Sequence, residues 1–335
     1  MPAPPPKAPP PPKPPPLSLP PALSGSKNPF IGSIREELRR YNLLYPMAAT
    51  LRHSNPDYVV EPKMVALLDA MSLKALHYLL HKPPAARKPS GQAKWNAVAA
   101  FKDTLAAHAD YFGIRFMKSD LRDPQGMNYR LERVNTGFTG EQPYQEFLAW
   151  ARTTEKKTFM ETHRELSDLE YFDEAGREQY AVHFEGRTAL DASDDPLDTR
   201  SGRGSYSDLK GTYIYVCSAR TRMIYSAPSA AGELHHSSFL SGEPVIVGGD
   251  WMVEQGKVIY INVSSGHYRP TAGGMEVFAR LYQSHLHLDT FIQPLHQVFP
   301  QKLSRSVRIF LCPAWRLRHN PVNQTQPKQI LSRQP

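Results

Sequence analysis

Between residues 28 and 142 the apolar positions fall at helical spacing, and beyond about 155 they gather in short β-branched and aromatic runs. Ile34–Leu44 reads as a short charged helix ended by Pro46. Glu61–Leu80 places Met64, Leu67, Leu68, Met71, Leu76 and Leu79 on one face and stops before Pro83-Pro84. Gly91–Phe112 aligns Trp95, Val98, Phe101, Leu105 and Phe112 in the same way. An aromatic stripe at that spacing predicts core rather than a ligand site. Pro83–Gly91 is a connector, and the polar, glycine-bearing stretch Asp120–Pro143 marks the passage to a second unit.

In that second unit Lys156–Leu169 predicts one more helix. Gln179–Glu185 and Arg187–Ala192 then flank Gly186 as a hairpin, and Tyr213–Ser218 and Met223–Ala227 are two further strands. Pro244–Glu254 and Lys257–Val263 around Gln255-Gly256 give the clearest hairpin of the chain. A helix over Gly274–His285 follows, with Thr271 as its N-cap. The fold class is α+β: a helical N-terminal region, then a mostly antiparallel β-sheet domain with a C-terminal helix. The expected division is a disordered leader over 1–27, a helical region over 28–142, an α+β core over 143–290 and a basic, partly disordered tail over 291–335.

Composition narrows the function classes. Thirteen of the first 21 residues are proline, which favours extended polyproline II. Such a leader is either simply disordered or a ligand for SH3- or WW-type aromatic grooves. Phe291–Leu295 and Val307–Trp315 are short apolar stretches that dock weakly on the domain. Cys217 and Cys312 alone build neither a disulfide framework nor a cysteine zinc site, which suits a reducing compartment. The expected location is the cytoplasm, with the nucleus, or secretion without a signal peptide, as alternatives. No apolar run approaches the ~20 residues of a membrane helix. The formal net charge is +8, yet residues 151–285 hold 14 Lys and Arg against 19 Asp and Glu. The basic residues lie outside the candidate site, so a phosphate-neutralising groove is not expected and nucleic acid is not a favoured partner.

Two blocks stand apart from both periodicities: His236-Ser-Ser-Phe-Leu-Ser-Gly242 and Ser265-Gly-His-Tyr-Arg-Pro270. Histidine and serine bring hydrogen-bonding and ionisable groups, and glycine permits close approach of backbones. The candidate ligand- or partner-binding residues are His236, Ser237, Ser238, Gly242, Gly266, His267, Tyr268 and Arg269. A serine nucleophile would pair Ser237 or Ser238 with His236 or His267 and Asp250 or Glu243, but no GxSxG elbow is present. A metal would gather His235, His236 and His267 with Glu233. Adjacent histidines on an extended segment point apart, and no HExxH spacing occurs, so no metal and no cofactor is expected. A nucleotide-transfer site would use His236, Ser238, Tyr268 and Glu243 or Glu254, without a glycine-rich phosphate loop to support it. The competing reading is structural: the loop polar groups satisfy buried donors and acceptors, with Arg269 held extended before Pro270.

The ordered blocks Arg177-Glu-Gln-Tyr-Ala-Val182, Pro196-Leu-Asp-Thr199, Tyr213-Ile-Tyr-Val216, His236–Gly242 and Ser265–Pro270 resemble the core of the plant IQ-motif-containing calmodulin-binding family. The resemblance covers about residues 145–285, and relatives of that core occur in fungi and bacteria. It implies a shared domain and no enzymatic chemistry. It carries over the domain and not the partner: calmodulin binding in that family rests on an IQ segment upstream of the core, and none is found here. An IQ helix begins Ile-Gln with basic residues on the following turns, and Ile34-Arg-Glu-Glu-Leu-Arg-Arg40 has no Gln after Ile34 and two acids in its middle. The expectation is a binding or adaptor protein in signalling or stress response. The alternative is an effector or toxin-like, NAD- or nucleotide-dependent transferase working through the His236 and His267 loops.

Overall fold

The computed structural model describes residues 12–55, 58–81, 89–117, 172–204, 210–229, 234–287 and 290–293. Three long helices come first: α1 (Pro29–Ser54), α2 (Pro62–His81) and α3 (Pro89–Tyr111). The Asn28 side chain caps α1 by accepting from the Phe30 and Ile31 amides, and Pro29 supplies a first-turn residue that has no N–H to lose. The helix does not stop at Pro46. It continues to Ser54, because Tyr45, Ala48, Ala49 and Arg52 prolong the buried stripe begun by Ile31, Ile34, Leu38 and Tyr41. A proline inside a helix costs about 3 kcal/mol, and burial of that second half outweighs it. Arg52 Nε donates to the Tyr111 carbonyl and the Tyr111 hydroxyl donates to the Ala49 carbonyl, which fastens α1 to the end of α3. Trp95 Nε1 on the Leu79 carbonyl fastens α3 to α2.

Residues 12–27, expected within a disordered leader, pack against these helices through Leu17 and Leu23, which are 3% and 1% exposed. Apolar burial of two leucines, worth about 1.5–3 kcal/mol each, opposes the chain entropy that composition alone would let prevail.

The second layer is a seven-stranded sheet. Its strands are β1 (Ala181–Glu185), β2 (Thr188–Leu190), β3 (Tyr213–Ser218), β4 (Ile224–Ala227), β5 (Val245–Glu254), β6 (Lys257–Asn262) and β7 (Phe291–Gln293). They lie in the order β2-β1-β4-β3-β5-β6-β7. The expected hairpins around Gly186 and Gln255-Gly256 form, and every pairing is antiparallel except β6–β7. Gln255 and Gly256 have φ of 46° and 80°, the left-handed pair that matches strand twist in a two-residue hairpin. Of Phe291–Leu295, expected to dock on the domain, Phe291–Gln293 does so as a parallel edge strand on β6. A short helix, α4 (Glu174–Arg177), precedes β1, and α5 (Ala272–Tyr282) follows β6 with Thr271 as N-cap, its Oγ1 accepting from the Gly274 amide. The expected helix Lys156–Leu169, the Asp120–Pro143 passage, the stretch Val307–Trp315 and the tail beyond 293 lie outside the described residues. No described helix is long and apolar enough to cross a membrane.

Period-two alternation divides β3 between two cores. Tyr215 and Cys217 join the helices, α5 and Trp251 in one continuous cluster, while Ile214 and Val216 face a second one. That second cluster is closed by Leu234, Phe239, Leu240 and Tyr268, all from the two unusual loops.

Candidate functional site

Antiparallel pairing brings the loops together. One loop enters β5 at Val245, and the other leaves β6 at Asn262, which the antiparallel register sets next to the middle of β5. Two side-chain links then join them. The Tyr268 hydroxyl donates to the Glu243 carbonyl at 3.0 Å, and His235 Nδ1 lies 3.4 Å from His267 Nε2, with the rings edge to face at 5.0 Å.

Most of the predicted site residues serve the fold. His236 is 4% exposed, and its Nε2 sits 2.9 Å from the Gly249 carbonyl. A carbonyl only accepts, so Nε2 carries the hydrogen. Burial pulls the His236 pKa down to about 3, against the Gly249 bond that favours the charged form, and the neighbouring His267 and His235 add to the depression. An imidazole in that state is a poor general base near neutral pH. Ser237 and Ser238 are fully buried. Ser238 Oγ accepts from the His235 amide, the Gly242 amide donates to the Ser237 carbonyl, and the Phe172 amide donates to the Ser238 carbonyl. Ser241 Oγ returns a bond to the Phe172 carbonyl. The structure thus spends the His-Ser-Ser block on its own turn.

The second loop is built the same way. Ser265 Oγ accepts from the Tyr268 amide and the Arg269 amide donates to the Ser265 carbonyl. Arg269 is not extended before Pro270: its φ is +46°, a left-handed conformation that costs a non-glycine residue about 1–2 kcal/mol. The turn closed by the Ser265 carbonyl imposes it, overriding the local preference of a residue before proline. Gly266 and Arg269 are exposed, and His235 is half-buried. The rim continues with Arg220, whose Nη1 lies 3.4 Å from Glu243, and with buried Arg177, 3.8 Å from the other Glu243 oxygen and 5.7 Å over the Tyr225 ring.

The carboxylates proposed from sequence separate. Glu243 is engaged by two arginines at the loop end of β5. Glu254 lies at the other end of that ten-residue strand, about 30 Å away at ~3.3 Å per residue. Asp250 is fully buried in β5 and accepts from Asn262 Nδ2 at 3.3 Å, while Asn262 Oδ1 takes the Asp250 and Ser264 amides. Glu233 is outside the described residues, and among the described residues no group of three His, Cys, Asp or Glu is arranged to hold a metal ion.

Sequence reasoning missed Arg177 and Asn262. Arg177 opens a block already singled out, but nothing local marks it as buried. Asn262 had a signal in Gly248-Gly249: a Cβ on Gly249 would stand 2.2 Å from the Asn262 carbonyl oxygen, and glycine inside a strand marks such close backbone approach.

The fold and site define a sheet-centred α+β domain whose two loops clasp one another at one end of the central strands. Residues 176–275, which run from α4 through the sheet into α5 and include both loops, match the family described as IQ motif-containing protein middle domain. A similar protein is the IQ domain-containing protein IQM3 of Arabidopsis thaliana, 31% identical over 112 residues, or 33% of this chain and 23% of that protein. The chain therefore matches under a quarter of that relative's length. No solved structure matches.

Proposed function

We propose that the sheet domain is a non-catalytic binding module of the IQM type that holds a protein partner at the rim of its two loops, in signalling or stress response. The observation that carries this reading is the state of His236, neutral and bonded to the Gly249 carbonyl, so that the block richest in potential chemistry is scaffold. What the loops offer outward is Arg269, Gly266, the His235 edge and the Arg220–Glu243 pair, a set suited to hydrogen bonding and charge recognition. A left-handed Arg269 supports the same reading, since backbone strain persists where surrounding structure and function retain it.

Kinship with an IQ domain-containing protein makes calmodulin the first partner to test. The experiment is a pull-down of the full chain on calmodulin with and without calcium, run for wild type, His236→Ala and Arg269→Glu. The expected result is a lowered melting temperature for His236→Ala, and unchanged melting with lost retention for Arg269→Glu. Retention of wild type and Arg269→Glu alike would move the binding surface away from the loops. Unchanged melting of His236→Ala would remove the scaffold argument.

A further inference from the structure

The helices carry a second surface, outside the region matched to the IQM family. From Pro14 to Pro20, ahead of the 3-10 turn Pro21–Leu23, burial returns every third residue: Leu17 is buried, Pro14 and Pro20 half-buried with Leu19 beside them, and Pro15, Pro16 and Ser18 exposed. Three residues per turn is the period of polyproline II, and Pro20 has the matching φ of −52° and ψ of 140°. Such a helix has no internal hydrogen bonds, so its carbonyls must be satisfied from outside. Side chains of α1 do this. The Tyr45 hydroxyl donates to the Pro14 carbonyl, and Asn42 Nδ2 donates to the Leu17 carbonyl at 2.8 Å. His108 faces the Pro15 carbonyl without a regular hydrogen bond and pairs through Nδ1 with the Tyr41 hydroxyl at 3.0 Å. The floor is aromatic: Tyr41 stacks on Tyr45 at 5.6 Å, Tyr45 meets His108 at 5.0 Å and Phe112 at 6.3 Å, and Lys13 Nζ lies 5.8 Å over the Tyr45 ring.

An aromatic floor, donors aimed at carbonyls and a leucine socket are the parts by which proline-rich ligands are recognised. We propose that the α1–α3 face is a receptor groove for a polyproline II segment of the pattern Lys-Pro-Pro-Pro-Leu, filled in cis by residues 13–17, and that a partner's proline-rich segment of this pattern competes for it. Residues 13–17 are then not a free ligand for other proteins' grooves but the plug of this protein's own. The short connection from Leu17 to α1 at Pro29 gives the plug an effective concentration of the order of mM, which masks weaker binding in trans.

The probe is a fluorescein-labelled peptide of residues 12–23, titrated by anisotropy into the full chain. Leu17→Asp, which dislodges the plug and leaves the groove residues intact, is expected to bind it about tenfold more tightly than wild type. Adding Asn42→Ala should remove most of that gain, with helicity retained by circular dichroism. A natively helical Leu17→Asp chain that does not bind the peptide overturns the proposal. Should Leu17→Asp not fold, wild type decides the matter through chymotryptic cleavage at Leu17-Ser18. That bond is expected to be protected, and to become cleavable on adding excess unlabelled peptide. Cleavage in wild type as fast as in the free peptide overturns the proposal, as does a wild-type dimer that Leu17→Asp dissociates, which would seat each leader in a second copy.

Discussion

Acid should destabilise this protein through two buried imidazoles. His236 and His108 are 4% and 0% exposed. Burial lowers their pKa values from 6.5 to about 3 and about 4; the Gly249 carbonyl opposes the first shift and the Pro15 carbonyl the second. Above pH 6.5 neither state binds these protons and the contribution to stability is complete. As pH falls below 6.5 the unfolded chain takes up a proton on each ring, which the folded chain refuses until its own lower pKa is reached. Stability is therefore lost at about 1.4 kcal/mol per pH unit for each histidine. Between pH 6.5 and about 4 each removes roughly 3 kcal/mol, and the pair approaches the ~5–15 kcal/mol that holds an ordinary domain together. The assay is urea unfolding followed by tryptophan fluorescence from about pH 7 to about pH 4.5 for wild type and His236→Gln. Glutamine can still donate to the Gly249 carbonyl but cannot titrate, so all other groups cancel between the two proteins. The slope of stability against pH should fall by about 1.4 kcal/mol per unit in the variant. Parallel slopes would refute the assignment of His236 as a buried neutral ring.

Other expectations test the scaffold and the rim. Gly249→Ala would place a methyl 2.2 Å from the Asn262 carbonyl oxygen and 2.7 Å from its side-chain oxygen; thermal melting should show a loss of several kcal/mol, because backbone rather than a flexible side chain must move. Thr199→Val removes a hydroxyl that donates to the Gly211 carbonyl at 2.8 Å and accepts from the Val253 amide, and chemical denaturation should register about 1–3 kcal/mol. Arg269→Gly relieves the positive φ, so its melting temperature should stay level or rise by the equivalent of about 1 kcal/mol while partner binding at the rim is lost. Phe278→Ala opens the α5 side of the core between Tyr215 and Tyr282 and should cost about 3–5 kcal/mol in urea melts.

The sequence by itself determined whatever is settled by neighbours along the chain. The hairpin at Gln255-Gly256, the cap at Thr271 and the apolar stripes of α2 and α3 are local matters of turn geometry, hydrogen-bond capping and periodicity, and they appear where the pattern places them. Three features depended on partners distant in sequence. Pro46 reads as a stop, but burial of Tyr45, Ala48 and Arg52 carries α1 past it. Residues 12–27 of the proline leader read as disorder, but Asn42, Tyr45 and the burial of Leu17 order them. Phe291–Leu295 reads as a docking stretch, but only the free edge of β6 makes Phe291–Gln293 a strand. The candidate site divides along the same line. Composition picked out both loops, and resemblance to the IQM core tied them to one domain. Only the antiparallel register of β5 and β6 set His235 against His267 and Tyr268 against Glu243, and only burial turned His236 from a candidate base into a neutral strut. The physical reason is the range of the forces involved: turn and cap preferences act over a few residues, whereas desolvation and packing act on whatever the fold brings near.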